Sequence, residues 1–224
     1  MIRPRGPLPS SSSSSPLSSP EISEQQQQDF IYTPKELNDM ASCIDGFRSS
    51  GLLDTEKGDG FVFGVLATLG LGGVVVDLEA NALLIQQAGP FPCVFHRAFD
   101  EVISPSGETS WRQGQAQGQS QGQGQLESLV ACGFSGVLTS GGRGNVCDGE
   151  NVVRLKEIVH ASEGRMEIVV GGGVRRGNVR DIVEGMGTEG WREQRVWFHS
   201  SCLVGGRFDE EEAGGLVRQL NSFG

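Results

Sequence analysis

The stretch Phe91-Pro92-Cys93-Val94-Phe95-His96-Arg97-Ala98-Phe99-Asp100 decides how this chain is read. Its apolar half is a short continuous run, the signature of a strand buried on both faces. Its polar half sets an imidazole, a guanidinium and a carboxylate together where that strand passes into its loop. Folds of alternating strands and helices gather their chemistry at this place, the carboxyl ends of parallel strands. The arrangement recurs near the end of the chain, where Val196-Trp197-Phe198 leads into His199-Ser200-Ser201. The chain holds three histidines, and two of them close apolar strands.

Working outward, strand and helix patterns alternate. Met1 to Arg5 reads as a short strand ending in two cations. Lys35 to Arg48 carries apolar residues at helical spacing (Leu37, Met40, Ile44, Phe47), with Thr33-Pro34 as cap and first-turn residue. Phe61 to Leu66 is a buried strand. Leu78 to Ala88 is a helix stopped by Gly89-Pro90. After the Cys93–Phe99 strand come a helix ending at Cys132, a strand from Gly136 into the Gly141-Gly142 loop, and a helix from Val152 to Ala161. Then follow a strand from Glu167 into Gly171-Gly172-Gly173, a helix from Asn178 to Glu184, and a last strand from Arg195 to Ser201. Strands apolar on both faces and separated by helices predict a parallel α/β sheet or barrel.

Two tracts fall outside this alternation. Residues 7–28 are rich in Ser, Pro and Gln, and residues 106–125 repeat Gly and Gln. Both lack the apolar surface that offsets ordering entropy and read as disordered insertions within a single domain spanning residues 1–224. Without them 182 residues remain, about six strand–helix units at the roughly 31 residues per unit of an eight-unit barrel.

Composition narrows the functions. The net charge is −10 and no basic stripe is present, so nucleic acid is not the expected partner. No run of about 18 apolar residues predicts a membrane span. The N-terminal Ser/Arg composition resembles a transit peptide faintly, but five prolines by residue 20 oppose the amphipathic helix that such a peptide needs. Five cysteines without a Cys-x-x-Cys pair and without a secretory signal point to free thiols in a reducing, cytoplasmic setting.

Several segments, taken in order, resemble the CutC copper homeostasis family. They are Ile2-Arg3-Pro4-Arg5-Gly6, Asp29-Phe30-Ile31-Tyr32, Gly60 to Leu66, Phe95 to Asp100, Val137 to Gly141, Gly171 to Val174, Asn178, and Phe198 to Ser201. The resemblance implies a TIM (β/α)8-type barrel. In the family the segment at residues 2–5 resembles the third strand, so the first two strand–helix units are lacking and an incomplete six-stranded parallel barrel is expected. It also implies copper handling, with Cu(I) as the bound ion.

The residues allow more than one chemistry. His96 and His199, facing each other across a barrel mouth, would bind a soft metal ion or carry a proton. Asp100 would act as a base, orient His96, or cap the next segment. Arg3, Arg5 and Arg97 suit an anion better than a metal, and Arg97 has the alternative of pairing with Asp100 or Glu101. Gly171, Gly172 and Gly173 would let backbone N–H groups approach an anion, with Ser200 supplying a hydroxyl and Thr139 and Ser140 on the same rim. Cys93 is expected on the strand face opposite His96 and reads as a small hydrophobe.

Three functions stay open. One is copper homeostasis through cytoplasmic Cu(I) binding. Another is a barrel enzyme acting on a small anionic, phosphorylated substrate through His96, Asp100 and His199. The third is a non-functional fragment or truncated gene model. Open strand edges would also favour a homo-oligomer.

Overall fold

In the computed structural model, residues 1–4, 29–69, 73–104, 121–187 and 195–223 are described. The tract at 7–28, Arg5 and residues 106–120 lie outside them.

Five strands form one sheet: β1 (Phe61–Phe63), β4 (Cys93–Phe95), β5 (Gly136–Thr139), β6 (Glu167–Val170) and β7 (Val196–Phe198), in the order β1-β4-β5-β6-β7. All four pairings are parallel. Of the expected sixth strand, Met1 to Arg5, residues 1–4 are described; among them Ile2 N–H donates to Val62 O at 2.8 Å, which lays Met1–Arg3 beside β1.

Helices join the strands. They are α1 (Pro34–Ser49), α2 (Leu78–Ala88), α3 (Phe99–Ile103), α4 (Gln121–Cys132), α5 (Asn151–Ser162), α6 (Val179–Met186) and α7 (Glu210–Asn221). Thr33 and Glu36 form a reciprocal capping box ahead of α1, with Pro34 in the first turn. Helix α4 starts at Gln121, so residues 121–125, read as insertion, belong to the helix. No helix among the described residues is long and apolar enough to cross a membrane.

Two strands are shorter than their apolar runs. The run from Phe61 breaks after Phe63, and Leu66–Thr68 (β2) pairs antiparallel with Val74–Val76 (β3) instead. Asn81 makes this break tolerable. It is fully buried, its Oδ1 accepts Val65 N–H at 3.0 Å, and its Nδ2 donates to Val65 O at 2.8 Å. Both backbone groups of a residue between two ladders are thereby satisfied. The Cys93 run stops at Phe95, because His96 to Ala98 turn and Phe99 starts α3.

The core lies between sheet and helices. Phe63 and Phe95 pack on Phe134 with ring centroids 5.4 and 5.1 Å apart. Phe63, Phe95, Ile168 and Val170 are wholly buried. After β7 the chain forms an exposed hairpin, β8 (Leu203–Val204) with β9 (Arg207–Phe208), and then α7, capped by Asp209 through Glu212 N–H at 2.7 Å. The acidic first turn of α7 holds Arg176 through Glu211 and Glu212 and thus anchors the loop after β6.

Candidate functional site

A cleft of about 350 Å³ opens at the carboxyl ends of the sheet strands. His96 follows β4, Gly172 and Gly173 follow β6, and His199 follows β7, so parallel pairing alone brings these loops to one rim. Arg3, Phe30, Arg97, Leu138 and Arg175 complete most of the wall. The lining, among the described residues, contains three guanidinium groups and two imidazoles but no carboxylate.

His96 is the most deeply set of the polar residues in the wall, at 3% exposure. Glycine at 64 makes room for it, because a Cβ there would stand 2.8 Å from His96 Nδ1 and 2.9 Å from the Phe95 ring. The Phe30 ring lies 4.9 Å from the imidazole. Burial drives the His96 pKa down to about 4, and the Arg3 charge works in the same direction, so the ring is neutral at pH 7. His96 Nδ1 accepts the Ala98 N–H at 3.3 Å, whereas Nε2 is buried without a partner. His199 is exposed, and its backbone N–H is fixed to Val170 O at 2.8 Å.

Asp100 is bonded to neighbouring strand-end and loop groups. At 2% exposure, it accepts Thr139 Oγ1–H at 2.5 Å, Ser140 N–H at 3.1 Å and Arg97 Nε–H at 2.8 Å. Burial pushes its pKa up, while the Thr139, Arg97 and Ser140 contacts pull it back. Its oxygens are committed to staple the β4–α3 turn to the end of β5. Thr139 and Ser140 are wholly buried and both hydrogen-bond this carboxylate.

Arg97 is divided between both readings. Its Nη2 donates to Ser140 Oγ at 2.7 Å, and with Nε on Asp100 it braces the loop. Its Nη1 faces the glycine loop, where a Cβ on Gly172 would come within 3.1 Å of it.

Ser200 lies in the cleft wall and is hydrogen-bonded on both sides. Its hydroxyl donates to Val174 O at 2.7 Å and accepts Arg175 Nη1–H at 3.0 Å, so it positions Arg175 and has no proton left for a ligand. Gly171 is set by packing, since a Cβ there would strike Leu138 at 2.7 Å. Gly172 and Gly173 line the cleft with φ of 85° and 93°, a conformation that favours glycine. Their N–H groups make no hydrogen bond among the described residues.

Arg3 pairs with Asp29 and stacks over Phe30 with its guanidinium carbon 5.7 Å from the ring centre. Met1, Phe30, Leu138 and Arg175 are wall residues that sequence reasoning did not assign to the site. Arg175 lies two residues beyond the glycine run, and that proximity was its signal.

For a metal ion the donors are few. No group of three His, Cys, Asp or Glu side chains placed to hold a metal occurs among the described residues. Cys93 is buried at 2% exposure with its thiol pushed up to about 12, and it is absent from the cleft wall, as the strand alternation predicts. Cys202 is buried and likewise absent from it.

Comparison with known proteins matches this chain to the CutC family model over residues 3–111 and 116–194. The chain belongs to the CutC family. A copper homeostasis protein cutC homolog from Mus musculus is 32% identical over 162 residues, covering 71% of this chain and 48% of the mouse protein. The homolog of the same name from Caenorhabditis elegans is 28% identical over 180 residues, covering 80% of this chain and 58% of that protein. The crystal structure of CutC from Streptococcus agalactiae superposes with a TM-score of 0.58 at 25% identity, covering 88% of this chain and 69% of that one. The α/β barrel-type fold expected from the CutC resemblance is thus shown. The chain spans about half the length of the curated CutC relatives it matches.

Proposed function

We propose that this CutC-family chain binds a small anionic ligand in the cleft at the strand ends. One observation carries the reading: a chain of net charge −10 builds a cleft whose wall, among the described residues, holds three arginines, two histidines and no carboxylate. Arg3 and Arg97 are paired with Asp29 and Asp100, so among the described residues Arg175 is the wall guanidinium without a carboxylate partner and carries the attraction for an anion. Arg175, held by Ser200, and the unbonded N–H groups of Gly172 and Gly173 would contact the anion, with Arg3 and Arg97 Nη1 supplying charge from across the cleft. The test is calorimetric titration with inorganic phosphate. Removing the charge-assisted contact in Arg175→Ala should weaken binding roughly 10- to 100-fold. Absence of binding at millimolar phosphate refutes the reading.

Copper is the second reading, supported by the names of the relatives and by the two imidazoles in the cleft wall. As cargo, Cu(I) would be held by His96 and His199 in a cytoplasmic protein whose cysteines are all free. To offer Nε2 to the ion, His96 would have to switch tautomer, carrying its proton on Nδ1 and giving up the Ala98 N–H contact. Cu(I) titration against a competing chelator tests this, and equal affinity in wild type and in His96→Gln/His199→Ala rejects these ligands. A barrel enzyme would use the same anion cleft with His199 as proton carrier. Exposed Trp197 on end strand β7 supports self-association of two copies, to be read by sedimentation velocity.

A further inference from the structure

The cleft wall offers two kinds of surface. Gly172, Gly173, Arg175 and the exposed Ser201 are rich in donors. Phe30, Leu138 and Met1 add apolar faces. His96 shares this wall, and its Nδ1 is occupied by the Ala98 N–H. A neutral imidazole that accepts at Nδ1 bears its proton at Nε2. That N–H is buried and finds no acceptor, which is rare in a folded interior and calls for an explanation in function.

The acceptor that fits is uncharged. A permanently neutral donor suits a carbonyl oxygen, while the charged oxygens of a ligand are better served by Arg175 and the glycine N–H groups. The low His96 pKa agrees, because the ring stays neutral with the Arg3 guanidinium nearby. The donors around the glycine loop also exceed what a carboxylate can use. Two backbone N–H groups, the remaining Arg175 nitrogens and a serine hydroxyl match the three terminal oxygens of a phosphomonoester.

Resting on the anion-binding reading above, we infer that the ligand is a small organic monophosphate bearing a carbonyl group. Its phosphate sits on Gly172, Gly173 and Arg175, and its carbonyl oxygen accepts the hydrogen bond of His96 Nε2. The carbon chain between them lies on Phe30 and Leu138.

Hydroxyacetone phosphate and propyl phosphate differ by this carbonyl alone and serve as probes, with inorganic phosphate as reference. In calorimetry the keto compound should bind about tenfold tighter than propyl phosphate, the effect of one well-placed hydrogen bond. His96→Phe should bring the ratio close to one, and His96→Gln, which keeps a side-chain donor, should restore part of it. Should either variant fold poorly, ¹⁵N-resolved spectra of the wild-type imidazole give the same answer: the Nε2-bound proton moves downfield with the keto compound and not with propyl phosphate. Equal affinities for the two probes, a ratio unchanged in His96→Phe, or a proton found on Nδ1 overturns this inference alone. Failure of inorganic phosphate to bind overturns the anion reading and this one with it.

Discussion

Lowering the pH should destabilise this protein through His96 in a way that can be isolated from its acidic groups. In the fold, burial lowers the His96 pKa from 6.5 to about 4. The unfolded chain therefore binds the proton first, and stability falls as pH drops from 6.5 towards 4. The direction follows from proton counts: between these values the unfolded state carries more bound protons, so unfolding is favoured by acid. The loss attributable to this one group is about 2 kcal/mol between pH 7 and pH 5, and about 3 kcal/mol by pH 4. For a chain of this size 2 kcal/mol corresponds to roughly 4–8 °C in Tm. Urea unfolding of wild type and His96→Gln at pH 7, 6 and 5 is the assay. Carboxylates titrate in both proteins, so the difference between the two curves reports the imidazole. Wild type should approach or cross the variant as pH falls, by about 2 kcal/mol at pH 5. Parallel curves, or a His96 ring proton titrating near pH 6.5 by NMR, would refute the burial argument.

Asp100→Ala removes the carboxylate that Thr139, Ser140 and Arg97 share, leaving buried donors unpaired. A loss of about 3–5 kcal/mol is expected by chemical denaturation, and a change below 1 kcal/mol would deny Asp100 its stapling role. Gly172→Ala places a Cβ 3.0 Å from the Ser140 Cβ at a φ of 85°. It should cost about 1–3 kcal/mol and weaken phosphate binding, with wild-type affinity as the contrary result. Thiol labelling at pH 8 should modify exposed Cys43 quickly and leave Cys93 untouched until the protein unfolds. Peptide mapping of the labelled protein distinguishes the two.

Much of the architecture was legible because its causes are local. The Thr33-Pro34 start of α1 depends on a capping exchange with Glu36 only three residues away. The end of β6 at Val170 was legible from the glycine run that follows, whereas the strand expected over Cys93–Phe99 stops at Phe95, where His96 to Ala98 turn into α3. Helix α7 has an equally local cause, Asp209 as cap followed by three glutamates in the first turn. The β2–β3 hairpin was hidden, since the apolar run from Phe61 gives no sign that Asn81, sixteen residues beyond Val65, interrupts it.

From the chain of letters alone followed the parallel α/β class, the CutC resemblance and the placement of His96, His199 and the glycine loop at strand ends. These rest on periodicity and on neighbours close in sequence. Folding settled which polar atoms remain available. Arg97 and Asp100 look like a reactive pair in their decapeptide, but residues about 40 positions away complete their bonding. Arg175 looks ordinary in its loop and becomes part of the cleft wall. A hydrogen-bonding group is free or satisfied according to what stands within about 3 Å of it, and in a parallel sheet those neighbours come from strands far apart along the chain.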